Sequence, residues 1–250
     1  MQTLKDIVYG AEAPDSQVLD LYLPDEDTTD LFIYFHGGGL EHGDKCRGGE
    51  IMPFIYPLVT EHGKAVISAN YRMYPNAVFP EFLEDAAKVV AWAKENIGKY
   101  KSISRIFVGG SSAGAWLTAM LAYAPAYLGK YDIKTTDITG YIVDSAQMTT
   151  HLNILRERGL HNKQIRVDEA APVYYLEPDM VFPNALFIVA DNDMPCRYEQ
   201  NLMFLKTLEI FGCPQEKMQF KYMEGYKHCQ YVNDGTVFTD IVRAYMDSVQ

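Results

Sequence analysis

Apolar runs of strand length alternate with helix-like segments. This pattern predicts an α/β fold: a mostly parallel central sheet with helices on both faces. Two observations carry it. Leu31-Phe32-Ile33-Tyr34-Phe35 and Ala185-Leu186-Phe187-Ile188-Val189-Ala190 are apolar at every position, as strands covered on both faces must be. Between such runs, apolar residues recur every three or four positions, the spacing of one helix face. The 250 residues, 48% hydrophobic and 22% charged, suffice for a single domain over 1–250 with a full core.

In chain order, Val18 to Leu23 alternates in part between apolar and polar, then meets Pro24 and the acidic turn Asp25-Glu26-Asp27, so it reads as a strand and a solvated turn. The Leu31 strand stops at His36-Gly37-Gly38-Gly39. Ala65 to Ala69 is a short buried strand that ends at Asn70-Tyr71-Arg72. Behind Pro80, the spacing of Phe82, Ala86, Val89, Ala93 and Ile97 predicts a helix, with Glu81, Glu84 and Asp85 complementing the dipole of its first turn. Arg105-Ile106-Phe107-Val108 is a strand leading into Gly110-Ser111-Ser112-Ala113-Gly114 and a helix that ends near Pro125.

Ile138 to Val143 is a further strand. From about 145 to 183 no strand period is present, which predicts a small lid-like helical excursion. The Ala185–Ala190 strand ends in Asp191-Asn192-Asp193, and the next helix places Tyr198, Leu202, Leu205 and Leu208 on one face before Gly212 stops it. Met218 to Met223 is the last strand and leads to Gly225-Tyr226-Lys227-His228. A terminal helix carries Phe238, Ile241, Tyr245 and Val249 as its apolar stripe.

Composition excludes several classes of function. A net charge of −11 is wrong for nucleic acid, whose phosphates demand basic patches. No apolar run approaches the ~18 residues that span a bilayer, and Met1 to Gly10 lacks an apolar core, so no membrane partner and a cytoplasmic location are expected. Cys46, Cys196, Cys213 and Cys229 form no C-x-x-C pair and read as reduced thiols. Cys196 and Cys229 flank two loops the fold would bring together, which leaves a disulfide or a redox-sensitive thiol as an alternative there. Glu41, His42 and Asp44 lack a fourth ligand at a matching spacing, so neither metal nor cofactor is expected. Nothing in the sequence indicates an oligomeric state.

In such a sheet ligands bind at the carboxyl ends of the strands, and the chemistry-bearing residues fall at those ends. A serine hydroxyl is a weak nucleophile at neutral pH and needs both a base and an exposed position. A G-x-S-x-G turn between strand and helix supplies the position. Ser112 is the candidate. Ser111, between Gly109 and Ala113, is the rival, but only Ser112 has glycine on both sides. The bland alternative is a glycine-serine turn without chemistry.

The glycine loop after the Leu31 strand would let backbone amides approach a developing oxyanion, with Gly38, Gly39 and Ala113 as the donors. Six histidines compete as the base: His36, His42, His62, His151, His161 and His228. His228 alone follows a terminal strand downstream of an acid-bearing loop, whereas His36 would brace the glycine loop. The third member must fix the imidazole and stabilise its charged form. Asp193, further into its loop, is preferred to Asp191, which would brace the turn, and to Asp144 at the preceding strand end.

In His36-Gly37-Gly38-Gly39, Asn70-Tyr71-Arg72-Met73-Tyr74-Pro75, Phe79-Pro80 with Asp85, Gly110-Ser111-Ser112-Ala113-Gly114, Asp193 and His228, the chain resembles the α/β-hydrolases of the esterase/lipase kind. These are the relatives of hormone-sensitive lipases and of bacterial feruloyl or acetyl-xylan esterases. The resemblance runs from about residue 18 to the end. It implies the α/β-hydrolase fold and carboxylester hydrolysis through an acyl-serine intermediate, with Ser112, Asp193 and His228 as triad. The expected partner is a small-molecule ester with a small or aromatic acyl group, acylated saccharides included.

Two features depart from the family. Only 35 residues precede His36, too few for the helical cap of many hormone-sensitive-lipase relatives, and Asp193-Met194-Pro195 stands where Asp-Pro-Leu is commoner, which keeps Asp191 open. Tyr174-Tyr175 are expected as walls of an acyl pocket. An amidase or peptidase using the same triad, and a non-catalytic binding protein on the same fold, are the alternatives.

Overall fold

The apolar runs become eight strands of one sheet in the computed structural model, which describes residues 1–249. They are β1 (Gln2–Val8), β2 (Val18–Leu23), β3 (Asp30–Phe35), β4 (Ala65–Ala69), β5 (Arg105–Ser111), β6 (Gly140–Asp144), β7 (Ala185–Asn192) and β8 (Met218–Lys227). Their spatial order is β1-β2-β4-β3-β5-β6-β7-β8. From β4 to β8 every neighbouring pair is parallel, and β1 and β2 add an antiparallel margin. The sequence pattern missed β1, because its residues are mostly exposed and carry no apolar run. It forms by backbone pairing to β2 at the sheet edge.

The described residues also form seven α-helices: α1 (Ile55–Thr60), α2 (Glu81–Asn96), α3 (Ala113–Tyr123), α4 (Ala126–Gly129), α5 (Leu152–Glu157), α6 (Arg197–Ile210) and α7 (Gly235–Ser248). The period of two along the strands sorts them into layers. Leu31, Ile33 and Phe35 of β3 join the core formed with α2, α3 and α6, whereas Phe32 and Tyr34 join the one formed with α1 and α7. Every residue of α3 is buried, which makes it the central helix of its layer. Among the described residues no helix is long and apolar enough to cross a membrane.

Two helix faces differ from the expected ones. On α6, Leu202 is 37% exposed and Tyr198 packs on Tyr222 at the surface, while Arg197, Asn201, Phe204, Leu205 and Leu208 are buried. The stripe is displaced because two polar side chains face inward: Arg197 donates to the Ser145 carbonyl and Asn201 to that of Ala146. Hydrophobic periodicity cannot register such residues. On α7, Val242 and Met246 join Phe238 and Tyr245 inside, and Ile241 is only half-buried.

The excursion contains one six-residue helix, α5, and a single 3₁₀ turn at Pro172–Tyr175, so it is less helical than expected. It is pinned by contacts to the rest of the chain. Arg156 pairs with Glu41 at 2.6 Å beside the glycine loop, and Glu157 accepts from the Phe79 amide. Below it, Arg72 grips fully buried Asp85 of α2 with Nε–Oδ2 and Nη2–Oδ1 bonds of 2.8 Å each, and Gln17 donates to the same carboxylate.

Candidate active site

β5 and α3 meet in a turn that only glycines permit. A Cβ on Gly114 would lie 2.0 Å from the Phe35 carbonyl oxygen, and one on Gly110 would lie 2.5 Å from Gly114. The end of β3 therefore passes directly against the turn. Between the two glycines Ser112 takes φ 57° and ψ −110°, a strained conformation for a side-chain-bearing residue, and its amide donates to the Asp144 carbonyl at 2.8 Å. Ser111, the last residue of β5, is buried and its Oγ accepts from Tyr34 in the sheet core, so it does not face the site.

Two loops at adjacent strand ends converge on Ser112. His228 Nε2 lies 2.8 Å from Ser112 Oγ, and His228 Nδ1 lies 2.5 Å from Asp193 Oδ1. Asp193 is further held by the Met194 amide at 2.6 Å on Oδ1 and by Ser145 Oγ at 2.7 Å on Oδ2. Burial alone would raise the Asp193 carboxyl, but the hydrogen bonds from His228, Ser145 and the Met194 amide, together with the His228 charge, bring it below the usual carboxylate value. Asp191 is exposed and accepts from the Gly225 amide at 3.0 Å, bracing β8 against β7.

Asp144 lies behind the site. It is fully buried and accepts from the Tyr231 hydroxyl, and its other oxygen has no partner among the described residues. Burial pushes its carboxyl up to about 6.

The glycine loop runs beside the turn. Gly38 at φ 111° and Gly39 at φ 66° occupy backbone conformations that favour glycine, and a Cβ on Gly38 would sit 1.7 Å from the His42 carbonyl oxygen. His36 holds the loop: its Nδ1 donates to the Gly37 carbonyl at 2.7 Å, its ring stacks on Tyr71 at 4.6 Å, and Tyr71 donates to its carbonyl. Among the described residues the amides of Gly38, Gly39 and Ala113 donate to no acceptor. They are free to receive an anionic oxygen.

The other candidates lie apart. His151 is buried, caps α5 by accepting from the Asn153 amide, and is pushed down to about 3 by burial and then by the charges of Arg197 and Arg156. His42 and His161 are exposed and His62 is half-buried. Glu41 is engaged by Arg156 and Asp44 by the Cys46 amide, and no three His, Cys, Asp or Glu side chains converge among the described residues. Cys196 and Cys229 are free thiols. Tyr174 and Tyr175 line a cavity of about 830 Å³ with Ala122 and Tyr123. That is the far end of α3, a helix roughly 15 Å long with Ser112 at its other end, so they are not walls beside the serine.

Ser145, Tyr231 and Arg197 belong to the neighbourhood although the sequence did not single them out. Ser145 follows β6 directly, and the strand-end rule that pointed to the other groups would have reached it.

Three comparisons relate the chain to known proteins. A family model described as BD-FAE matches residues 19–137, which hold the glycine loop and Ser112 but neither Asp193 nor His228. The chain is similar to a kynurenine formamidase of Danio rerio, 27% identical over 227 residues, covering 84% of this chain and 70% of the relative. It is also similar to lipase 2 of a Moraxella species, 37% identical over 91 residues, covering 36% of this chain but only 20% of the lipase. Among solved structures, a truncated carbohydrate esterase from gut microbiota superposes with a TM-score of 0.80 at 19% identity, covering 99% of this chain and 96% of that one, and so shares its fold.

Proposed function

Since the chain is an α/β-hydrolase of the esterase/lipase kind, we propose that it is a serine carboxylesterase working through an acyl-Ser112 intermediate. The observation that carries this is the approach of His228 Nε2 to Ser112 Oγ at 2.8 Å, with Nδ1 of the same ring on Asp193. Ser112 attacks the ester carbonyl as His228 takes its proton. Asp193 holds the ring in the required tautomer and stabilises the imidazolium. The amides of Gly38, Gly39 and Ala113 stabilise the oxyanion. His228 then protonates the leaving alcohol and, in the second half, activates the water that releases the acid. Small or aromatic acyl esters are the substrate class, and the fold shared with a carbohydrate esterase supports acylated saccharides among them.

Replacing Ser112 by Ala is expected to lower p-nitrophenyl ester hydrolysis by more than about a thousandfold with folding intact. A fluorophosphonate adduct mapped by mass spectrometry should fall on Ser112. An active Ser112→Ala protein, or an adduct elsewhere, overturns the assignment.

Amide hydrolysis is the second activity to weigh, because the formamidase relative matches 84% of the chain. An aryl ester and an N-formyl anilide of matched structure separate the two: turnover of the anilide at a rate comparable to the ester supports the amidase, and its absence supports the esterase.

A further inference from the structure

Ser145 sits at φ 58° and is fully buried, directly after β6. A side-chain-bearing residue adopts that backbone conformation at a cost, and it persists only where the surroundings over-determine it. Both of its backbone groups are engaged: its amide donates to the Ile188 carbonyl of β7 at 2.8 Å, and its carbonyl accepts from Arg197 of α6 at 2.8 Å. The side chain so aimed donates its hydroxyl proton to Asp193 Oδ2 at 2.7 Å. The Tyr231 hydroxyl approaches the same Oγ at 3.3 Å and itself donates to Asp144.

A carboxylate turns easily about its last torsion, whose energy wells are broad. Bonds on both oxygens remove that freedom: His228 and the Met194 amide meet Oδ1, and Ser145 alone holds Oδ2. We propose that Ser145 is a positioning residue for the hydrolysis, its hydroxyl holding Asp193 Oδ2 so that Oδ1 faces the Nδ1–H of His228. It rests on the assignment of Ser112, Asp193 and His228 as the reacting triad. Asp144 does not substitute for Asp193, since neither of its oxygens bonds His228: one accepts from Tyr231 and the other has no partner among the described residues. The titratable and charged groups around this pair are Asp144 at the end of β6, Arg197 on α6, and Cys229 and Tyr231 beyond β8.

Ser145→Gly is the discriminating variant, because glycine accepts a positive φ without strain and the hydroxymethyl group is lost with no backbone penalty. With p-nitrophenyl acetate, kcat is expected to fall about tenfold or more, the loss of one hydrogen bond to a charged group, with KM changed by less than about twofold. Without that bond the carboxylate is no longer held toward Nδ1–H and stabilises the imidazolium less, so the acid limb of the pH profile is expected to move to lower pH. In an Asp193→Asn background Ser145→Gly should add no further loss, because it acts through that carboxylate. Ser145→Ala runs through the same comparison should the glycine variant fail to fold. An unchanged kcat and acid limb in Ser145→Gly, or additive losses in the double variant, overturn the role of Ser145 while leaving the triad in place. A fully active Ser112→Ala protein overturns the triad instead.

Discussion

At the scale of single residues the turn around Ser112 is a steric necessity. Gly114→Ala would force a methyl to 2.0 Å from the Phe35 carbonyl oxygen, in backbone that cannot move without shifting β3. A loss of about 3 kcal/mol or more in urea unfolding is expected, the upper range for overpacking, together with loss of ester hydrolysis. A stability within error of the parent would show that the turn is looser than described. That Ser112 rather than Ser111 occupies the turn was legible in the sequence, because the glycine spacing encodes this crowding. The hydrogen bonds among Asp193, Ser145, Tyr231 and Asp144 were not, since they join residues up to 87 positions apart by side-chain direction alone.

Among the elements, those with apolar periodicity were readable. The α2 stripe of Phe82, Ala86, Val89 and Ala93 is buried as its spacing requires. β1 and the inner face of α6 were not readable, because one is held by edge pairing and the other is anchored by Arg197 and Asn201. Buried ion pairs likewise leave no periodic signal. The Arg72–Asp85 pair ties the segment after β4 to the first turns of α2, and Asp85 has no exposed surface. Arg72→Met would strand a buried carboxylate, with an expected loss of about 3–5 kcal/mol by urea titration. Arg72→Met together with Asp85→Leu should recover much of that loss; failure of both variants to differ from the parent would mean the pair is not coupled to folding.

For the whole molecule the fold class followed from the alternation of elements, and the eight-stranded, mostly parallel sheet with helices on both faces agrees with it. One property of the whole, its pH dependence, comes from a residue the triad does not use. Burial holds the Asp144 carboxyl at about 6, above its ordinary 3.8, so the folded state favours the protonated form. That contribution to stability is complete below the ordinary value, declines as pH rises, and is gone above about 6. Asp144→Asn, which can still accept from Tyr231, should therefore gain on the parent by on the order of 3 kcal/mol between pH 4 and pH 7. Paired urea titrations across that range check it, and a difference that stays constant with pH would refute it.

The spacing of the site along the chain has a consequence in time. Ser112 belongs to the middle of the sequence, whereas Asp193 and His228 follow the two strands that complete one margin of the sheet. On the proposed triad the serine is synthesised well before its base, so a chain ending before His228 is expected to hydrolyse no ester. The proposed chemistry therefore waits on the last strand of the sheet, not on the turn that carries the serine.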